Sequence, residues 1–485
     1  MLNQKQQEEI SRLVNKIFEE KAIESIKENI RIPVVSPEYD PDFLTNGLIE
    51  KTLNVGKQWL ESLGLEGLET KIVRCPKSQT PLLYATIRSN KNRLQTQETK
   101  EKPKNVLLYG HADRMPVNEK LWTVTGPREP IIKDSKMYGR GACDDVYSIY
   151  ANSIVIYTLQ QMGLPHDNFH LILESEEESG SKHLFSILET LDLPEIDLAV
   201  ITDGGGPNED HFWVTSSVRG LINGNLTVEV LKSGVHSGDG TGIIPSPFRI
   251  SRLLLQRIED EQTGEMKLPE LFCEISEEME TIVENSLSFI KSITNYNSQW
   301  IDKEQPIMLT KDIRELITNK FFRPGLEITG CEGLPKINRA SNVCRSQLKL
   351  KLSIRLPPIV ELQPAINSLK EALETNPPYG AKITYNPYNA SQGWFSKNLD
   401  QRLESSANRS SLKFFEKPFK KYSLGGTLPL LHDLSLKFPK AQILVTGAGT
   451  RISSAHGPNE HINLIFLKKV ISCLTQIIGE FADYD

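Results

Sequence analysis

The residues of this chain best placed to do chemistry are two histidines and a set of acids that follow short apolar runs. Val106-Leu107-Leu108-Tyr109 reads as a buried strand, and Gly110-His111-Ala112-Asp113 follows it directly. A neutral imidazole is the commonest metal ligand among side chains, and its second nitrogen needs a partner to hold it. His111 with Asp113 two residues on suits that pairing. Met137 to Asp145 places Asp144 and Asp145 after two glycines, at the start of a helical segment, Val146 to Leu159. Phe169 to Leu173 is a second buried run, and it leads into Glu174-Ser175-Glu176-Glu177-Glu178-Ser179-Gly180. Leu198 to Ile201 leads into Thr202-Asp203-Gly204, and a strand over Ala441 to Thr446 precedes the loop that holds His456.

Each of these has a bland reading. Acids at a helix start often only cap it, and a run of glutamates is ordinarily a solvated face. At the end of an apolar strand, however, several carboxylates repel one another unless a cation or a proton intervenes. Taken together, His111, Asp144, Glu178, Asp203 and His456 supply two imidazoles and three carboxylates. Such a donor set suits zinc, with manganese or cobalt as alternatives. Five side chains serve two divalent metal ions per chain if one carboxylate bridges, and Asp144 is the candidate bridge. Glu177 is then left over as a general base on a water at the ions.

The elements that must position these residues fall into two groups. Up to about Trp213, short apolar strands alternate with helices, including an amphipathic helix around Ile10 to Phe18, a helix over Leu48 to Leu63 and a hairpin over Thr70 to Ile87. Asn90 to Lys104 is polar and Lys-rich and reads as a loop. This alternation predicts an α/β fold, a mostly parallel sheet with helices on both faces and ligands at the carboxyl ends of strands. After Trp213 the period changes. Ile222, Gly224, Leu226, Val228 and Val230 alternate with polar residues, as do Leu348, Leu350, Leu352, Ile354 and Leu356. Period two marks strands with one wet face, typical of antiparallel sheets. The expected organisation is a catalytic domain in two segments, 1–213 and 396–485, with an inserted α+β domain over 214–395 that is mostly helical from about 250 to 325. Leu221 to Leu231 is read as an edge strand, and a long alternating edge is rarely left bare. It is therefore expected to pair or pack with the same strand of a second chain. Ile462 to Phe481 reads as a closing helix.

Length and composition bound the function. At 485 residues the chain is too long for one core. Its net charge of −6, from 56 basic and 62 acidic residues, gives no electrostatic case for nucleic acid or an anionic membrane. No apolar run approaches the ~20 residues that span a bilayer. The start of the sequence lacks the order of a signal peptide, and the six cysteines form no CxxC. The expectation is a cytoplasmic protein whose metal is held by His and carboxylates. Neither a G-x-S-x-G elbow nor an HExxH motif is present.

The sequence closely resembles the carnosinase-like branch of the di-zinc dipeptidase and deacylase superfamily. That superfamily also contains succinyl-diaminopimelate desuccinylase, acetylornithine deacetylase and glutamate carboxypeptidase. The matching stretches are Gly110 to Asp113, Tyr138 to Asp145, Glu177 to Ser181, Thr202-Asp203, Gly234 to Gly238, Asn342-Val343, Ser353 to Arg355, Gly425 to Pro429 and Ala455 to Glu460. They run in family order along nearly the whole chain. The resemblance implies that Asp144 bridges, that His111 and Asp203 complete one metal, and that Glu178 and His456 complete the other. It implies that Asp113 orients His111 and that Glu177 is the base. It also implies that His236, Asn342 and Arg355, in the inserted domain, grip the substrate's carboxylate and the developing oxyanion. Some of these reach in from a partner subunit, which implies a homodimer joined through that domain. On the residues alone, Arg355 beside Lys349 and Lys351 reads as a solvated charge, His236 as an exposed loop residue and Asn342 as a turn residue. The backbone amides of the Gly425 to Pro429 turn, Gly426 and Thr427 among them, suit a carboxylate.

Three positions depart from the family pattern. Val146 follows the acid pair, Leu424 precedes the glycine-rich turn, and Ala112 follows His111 where Leu is usual. Leu424 bears on substrate preference more than on chemistry. The resulting expectation is a metal-dependent hydrolase that cleaves an amide bond next to a free carboxylate, with dipeptides as substrates. A deacylase of N-acyl amino acids with the same centre is the nearest rival, and a non-catalytic binding protein that kept the fold is the third.

Overall fold

The computed structural model describes residues 1–91, 102–289, 308–397 and 399–483. The polar loop over 90–104 and the helical stretch over 250–325 fall partly on 92–101 and 290–307, which lie outside the described residues. The chain forms two compact units. The first comprises Met1–Ser216, Ser396–Tyr422 and Asp433–Asp485, and the second comprises Ser217–Phe395 and Ser423–His432. The short piece Ser423–His432, which carries the glycine-rich turn, thus packs with the second unit rather than with the segments that flank it. No helix among the described residues is long and apolar enough to cross a membrane.

The first unit is built on a mixed sheet. Its strands lie in the order Leu68–Arg74, Pro81–Ile87, Asn168–Glu174, Asn105–His111, Leu198–Ile201, Gln442–Val445 and then Trp213–Val218. The central pairings are parallel. The pairings to either side are antiparallel. Parallel strands are buried on both faces and read as unbroken apolar runs, as Val106 to Tyr109 and Leu198 to Ile201 do, all of them buried. Each large apolar side chain buried this way contributes about 1.5–3 kcal/mol. The helices Tyr147–Gln161 and Leu464–Phe481 pack on one another and are buried along most of their length. Asn463 caps the second of them by accepting from the amides of Ile465 and Phe466. The first helix, Gln4–Ile17, opens on a reciprocal Asn3–Gln6 cap and turns Ile10, Leu13, Val14 and Ile17 inward.

The second unit holds a four-stranded antiparallel sheet in the order Gly325–Glu332, Gln347–Leu356, Gly220–Glu229, Lys382–Ser391. Burial alternates strictly along Gly220–Glu229. Its inward residues Ile222, Leu226 and Val228 join Leu348 to Leu356 in a core with the helices Pro247–Ile258 and Leu362–Glu374. One expectation is corrected here. The alternating strand from Leu221 is not an edge, because it is bonded on both sides, by Gln347–Leu356 and by Lys382–Ser391. Alternation reports one wet face, and it says nothing about whether the two long sides of a strand are paired. The edges of this sheet are Gly325–Glu332 and Lys382–Ser391.

Candidate metal centre

Three strand ends of the first unit and two loops bring the acids and imidazoles together. Gly110 is essential to this convergence. A Cβ there would stand 2.0 Å from Ser148 Oγ and 3.0 Å from Asp145 Oδ2, so only glycine lets the start of the helix press against the strand end. The backbone amide of His111 donates to Asp145 Oδ2 at 3.2 Å, which ties the acid pair to the histidine. The Asp144–Asp145 peptide is cis.

Asp144 lies between the two imidazoles. Its Oδ1 is 3.0 Å from His111 Nε2 and its Oδ2 is 2.9 Å from His456 Nε2. Asp203 Oδ1 lies 3.8 Å from His111 Nε2, and Glu178 Oε2 lies 3.0 Å from His456 Nε2. His111, Asp144 and Asp203 therefore offer one set of ligand atoms, and Asp144, Glu178 and His456 a second, each set within 4.8 Å. Asp144 belongs to both. Glu177 Oε2 lies 3.9 Å from the same His111 Nε2, yet Glu177 belongs to neither set.

Asp113 does more than face the imidazole. His111 Nδ1 is 3.1 Å from the backbone oxygen of Asp113 and 3.5 Å from its Oδ1. The two carboxylate oxygens accept from the amides of Glu177 and Glu178, at 3.1 and 3.0 Å. A single buried carboxylate thus holds the one-turn helix Glu177–Ser179 against the His111 strand. Sequence spacing could not show this, since the residues are more than sixty positions apart.

The groups of the cluster shift one another's charge. Burial raises the carboxyls of Glu177 and Asp203, and takes Glu178 up to about 7. Burial would lower the His456 imidazole, but its bonds to Asp144 and Glu178 push it up to about 11. Asp144 is held below the ordinary carboxylate range, since the hydrogen bonds of both imidazoles outweigh its burial. Four acids and two imidazoles crowd one place, where carboxylates repel one another unless a cation or a proton intervenes. Glu178 Oε1 is buried with no hydrogen-bond partner, which fits an oxygen meant for an ion. The donor set, carboxylate oxygens and imidazole nitrogens, is that of a borderline divalent metal.

A model of the peptidase family M20/M25/M40 matches residues 107–480. The chain belongs to that family. It is a hydrolase, and the family is one of metallopeptidases. A Beta-Ala-His dipeptidase of Rattus norvegicus is 25% identical over 378 residues, covering 75% of this chain and 74% of that protein. A cysteinylglycine-S-conjugate dipeptidase of Corynebacterium striatum is 22% identical over 372 residues, covering 74% and 77%. Among solved structures, human carnosine dipeptidase 1 shares the fold with a TM-score of 0.76 at 20% identity, over 99% of both chains.

The remaining candidates lie in the second unit. Arg355 is half-buried and donates from Nη1 to Thr427 Oγ1 at 2.7 Å. Gly426 is exposed, and its carbonyl accepts from the Arg219 amide at 2.9 Å. His236 and Asn342 are both exposed. They are brought side by side by the pairing of His236 with Val343 and by the Ser237 amide donating to the Asn342 carbonyl. Arg355 is thus more than a solvated charge, for it braces the glycine-rich turn.

Two further residues of the first unit went unmarked in the sequence reading, Arg140 and Glu460. Each lies inside a stretch that carries the family resemblance, but nothing in its type or spacing separates it from an ordinary surface charge.

Proposed function

We propose that this chain is a di-metal dipeptidase that hydrolyses the amide bond of small peptides bearing a free carboxylate. The observation that carries the reading is Asp144, with one oxygen toward each imidazole at 3.0 and 2.9 Å. That placement supports Asp144 as a carboxylate shared by two ions, of which His111 and Asp203 would hold one and Glu178 and His456 the other. Zinc is the expected metal, with manganese or cobalt as alternatives. Ions bound there would supply Lewis-acid chemistry, lowering the pKa of a water and polarising the scissile carbonyl.

The chain's own residues supply the rest. Glu177 sits beside the ligand set without completing either group, and burial strengthens its hold on a proton. It takes the proton from water and returns it to the leaving amine. Asp113 fixes the backbone from which both glutamates project. The family resemblance assigns the substrate's carboxylate and the developing oxyanion to Arg355, the Gly426–Thr427 turn, His236 and Asn342. The likeness to dipeptidases in two curated relatives supports small peptides over acylated amino acids. The reading includes a cytoplasmic homodimer joined through the second unit, now at one of the two true edges of its sheet.

The test is hydrolysis by zinc-, manganese- or cobalt-loaded protein of a dipeptide panel that includes β-Ala-His, set against N-acetyl amino acids. Turnover of dipeptides and not of their C-terminal amides is expected. Exclusive turnover of N-acyl amino acids would replace the dipeptidase with a deacylase. No uptake of divalent ions would remove the di-metal reading.

A further inference from the structure

His456 is a poorly supported ligand by its local structure. Its φ is +61°, in the left-handed region, where a residue with a Cβ is strained. Its side chain is 49% exposed, and Ser454 and Asn459 beside it also have positive φ. A loop of this kind does not by itself aim an imidazole to within tenths of an ångström.

What aims it is a buried ion pair outside both ligand sets. Arg140 Nη1 donates to Glu460 Oε2 at 2.5 Å, with side-chain exposures of 6% and 0%. The other arm of the same guanidinium, Nη2, donates to the backbone carbonyl of His456 at 2.9 Å and more weakly to that of Pro116. Glu460 Oε1 accepts from the Cys143 amide at 3.1 Å and faces Cys143 Sγ at 3.5 Å. The Glu460 carbonyl accepts from the Gly139 amide. The pair therefore ties the turn that ends in Asp144 to the turn that carries His456, from both directions. The rigid fork of an arginine reaches a carboxylate and a carbonyl at once with both directions fixed. The desolvation cost of such a pair makes it a weak device for stability alone.

We propose that Arg140 and Glu460 are positioning residues for the ion between Asp144, Glu178 and His456, and not for the ion at His111 and Asp203. The proposal rests on the di-metal reading above. His111 is held separately, by Asp145 and Asp113, so of the other site's ligands only the shared Asp144 answers to the pair. Losing a partner that orients a metal ligand typically costs about 10–100-fold in metal affinity.

The test uses the full chain, with zinc buffered at a free concentration that saturates the wild type. Zinc per chain is measured by elemental analysis in Glu460→Gln, Arg140→Met and Arg140→Lys, and in His456→Ala alone and combined with Glu460→Gln. Glu460→Gln is nearly isosteric and is the variant least prone to misfold. The expected result is a fall toward one zinc per chain in each single variant, recovered in the Glu460 and Arg140 variants when free zinc rises about 10–100-fold. Combining Glu460→Gln with His456→Ala should lose no more zinc than His456→Ala alone. Arg140→Lys keeps the charge but loses the fork, so it should not restore the second zinc. Full wild-type affinity for both ions in Glu460→Gln, or equal weakening of both, overturns the proposal. A wild type that takes up no divalent ion overturns the di-metal reading itself. A wild type with two ions and unaffected variants overturns only the positioning role.

Discussion

Glu177 and Glu178 are adjacent, and the structure gives them different surroundings from one common support. Asp113 takes both amides, and the single turn Glu177–Ser179 lets the side chains diverge. Glu178 meets His456, while Glu177 stays near His111 outside either ligand group. Glu177→Gln should therefore keep both metals and lose roughly 10²–10⁴ in kcat, the usual loss for a general base. Glu178→Gln should lose one metal as well as rate. Elemental analysis beside steady-state kinetics separates them, and the reverse pattern would exchange the two roles. Arg355 invites a different experiment. It has no acidic partner among the described residues and is only half-buried, its Nη1 spent on Thr427. A charged hydrogen bond to a carboxylate is worth about 1.5–3 kcal/mol, so Arg355→Ala should raise KM for dipeptides about 10–100-fold. Equal KM values in wild type and variant would place the carboxylate elsewhere.

At the scale of elements, the strand Asn168–Glu174 sits next to the His111 strand and carries a histidine with no part in the chemistry. His170 Nδ1 is 2.6 Å from the Tyr84 hydroxyl, and its Nε2 is buried without a partner. Burial lowers the imidazole to about 4. Its ordinary value is near 6.5, so between those limits the unfolded chain binds the extra proton and the folded one does not. Stability from this residue is complete above about pH 6.5 and is lost as pH falls toward 4. The difference is at most about 3 kcal/mol. Urea unfolding at pH 7.5 and 4.5 should show a larger acid loss in wild type than in His170→Asn, and identical losses would refute the assignment. The strands themselves were legible from sequence, because runs such as Val106 to Tyr109 have no other use than burial. The wet-faced strands of the second unit were equally plain in their period. What escaped was pairing partners. Nothing in the pattern of Leu221 to Leu231 separates an inner strand from an edge, and nothing in Asp113, Arg140 or Glu460 reveals an amide or a loop brought close from far along the chain. Side-chain period reports a face, whereas tertiary hydrogen bonds depend on closures that one sequence does not display.

At the scale of the molecule, the two units rest on different kinds of support. The second has its own apolar core of sheet and helices, with no metal-ligand group among its described residues. The first is assembled from three chain segments, and both ligand groups lie in it. His111, Asp144, Glu178 and Asp203 come from its first segment and His456 from its last, so an ion at the Asp144–Glu178–His456 group closes a link between segments more than 270 residues apart. Without cations, the acids of this cluster must be protonated or repel. An ion held only by the folded state stabilises it by RT ln(1 + [L]/Kd), about 2.7 kcal/mol at a hundredfold excess over Kd. Removing the ions should thus destabilise the first unit and leave the second as it was. Calorimetry with and without a chelator should show one transition falling by about 2–4 °C per kcal/mol lost, and a second that does not move. Readdition of zinc should restore the first, and His456→Ala should recover only part of the shift. If both transitions moved together, the units would be thermodynamically coupled through the metal centre. If neither moved, the cluster would owe nothing to an ion.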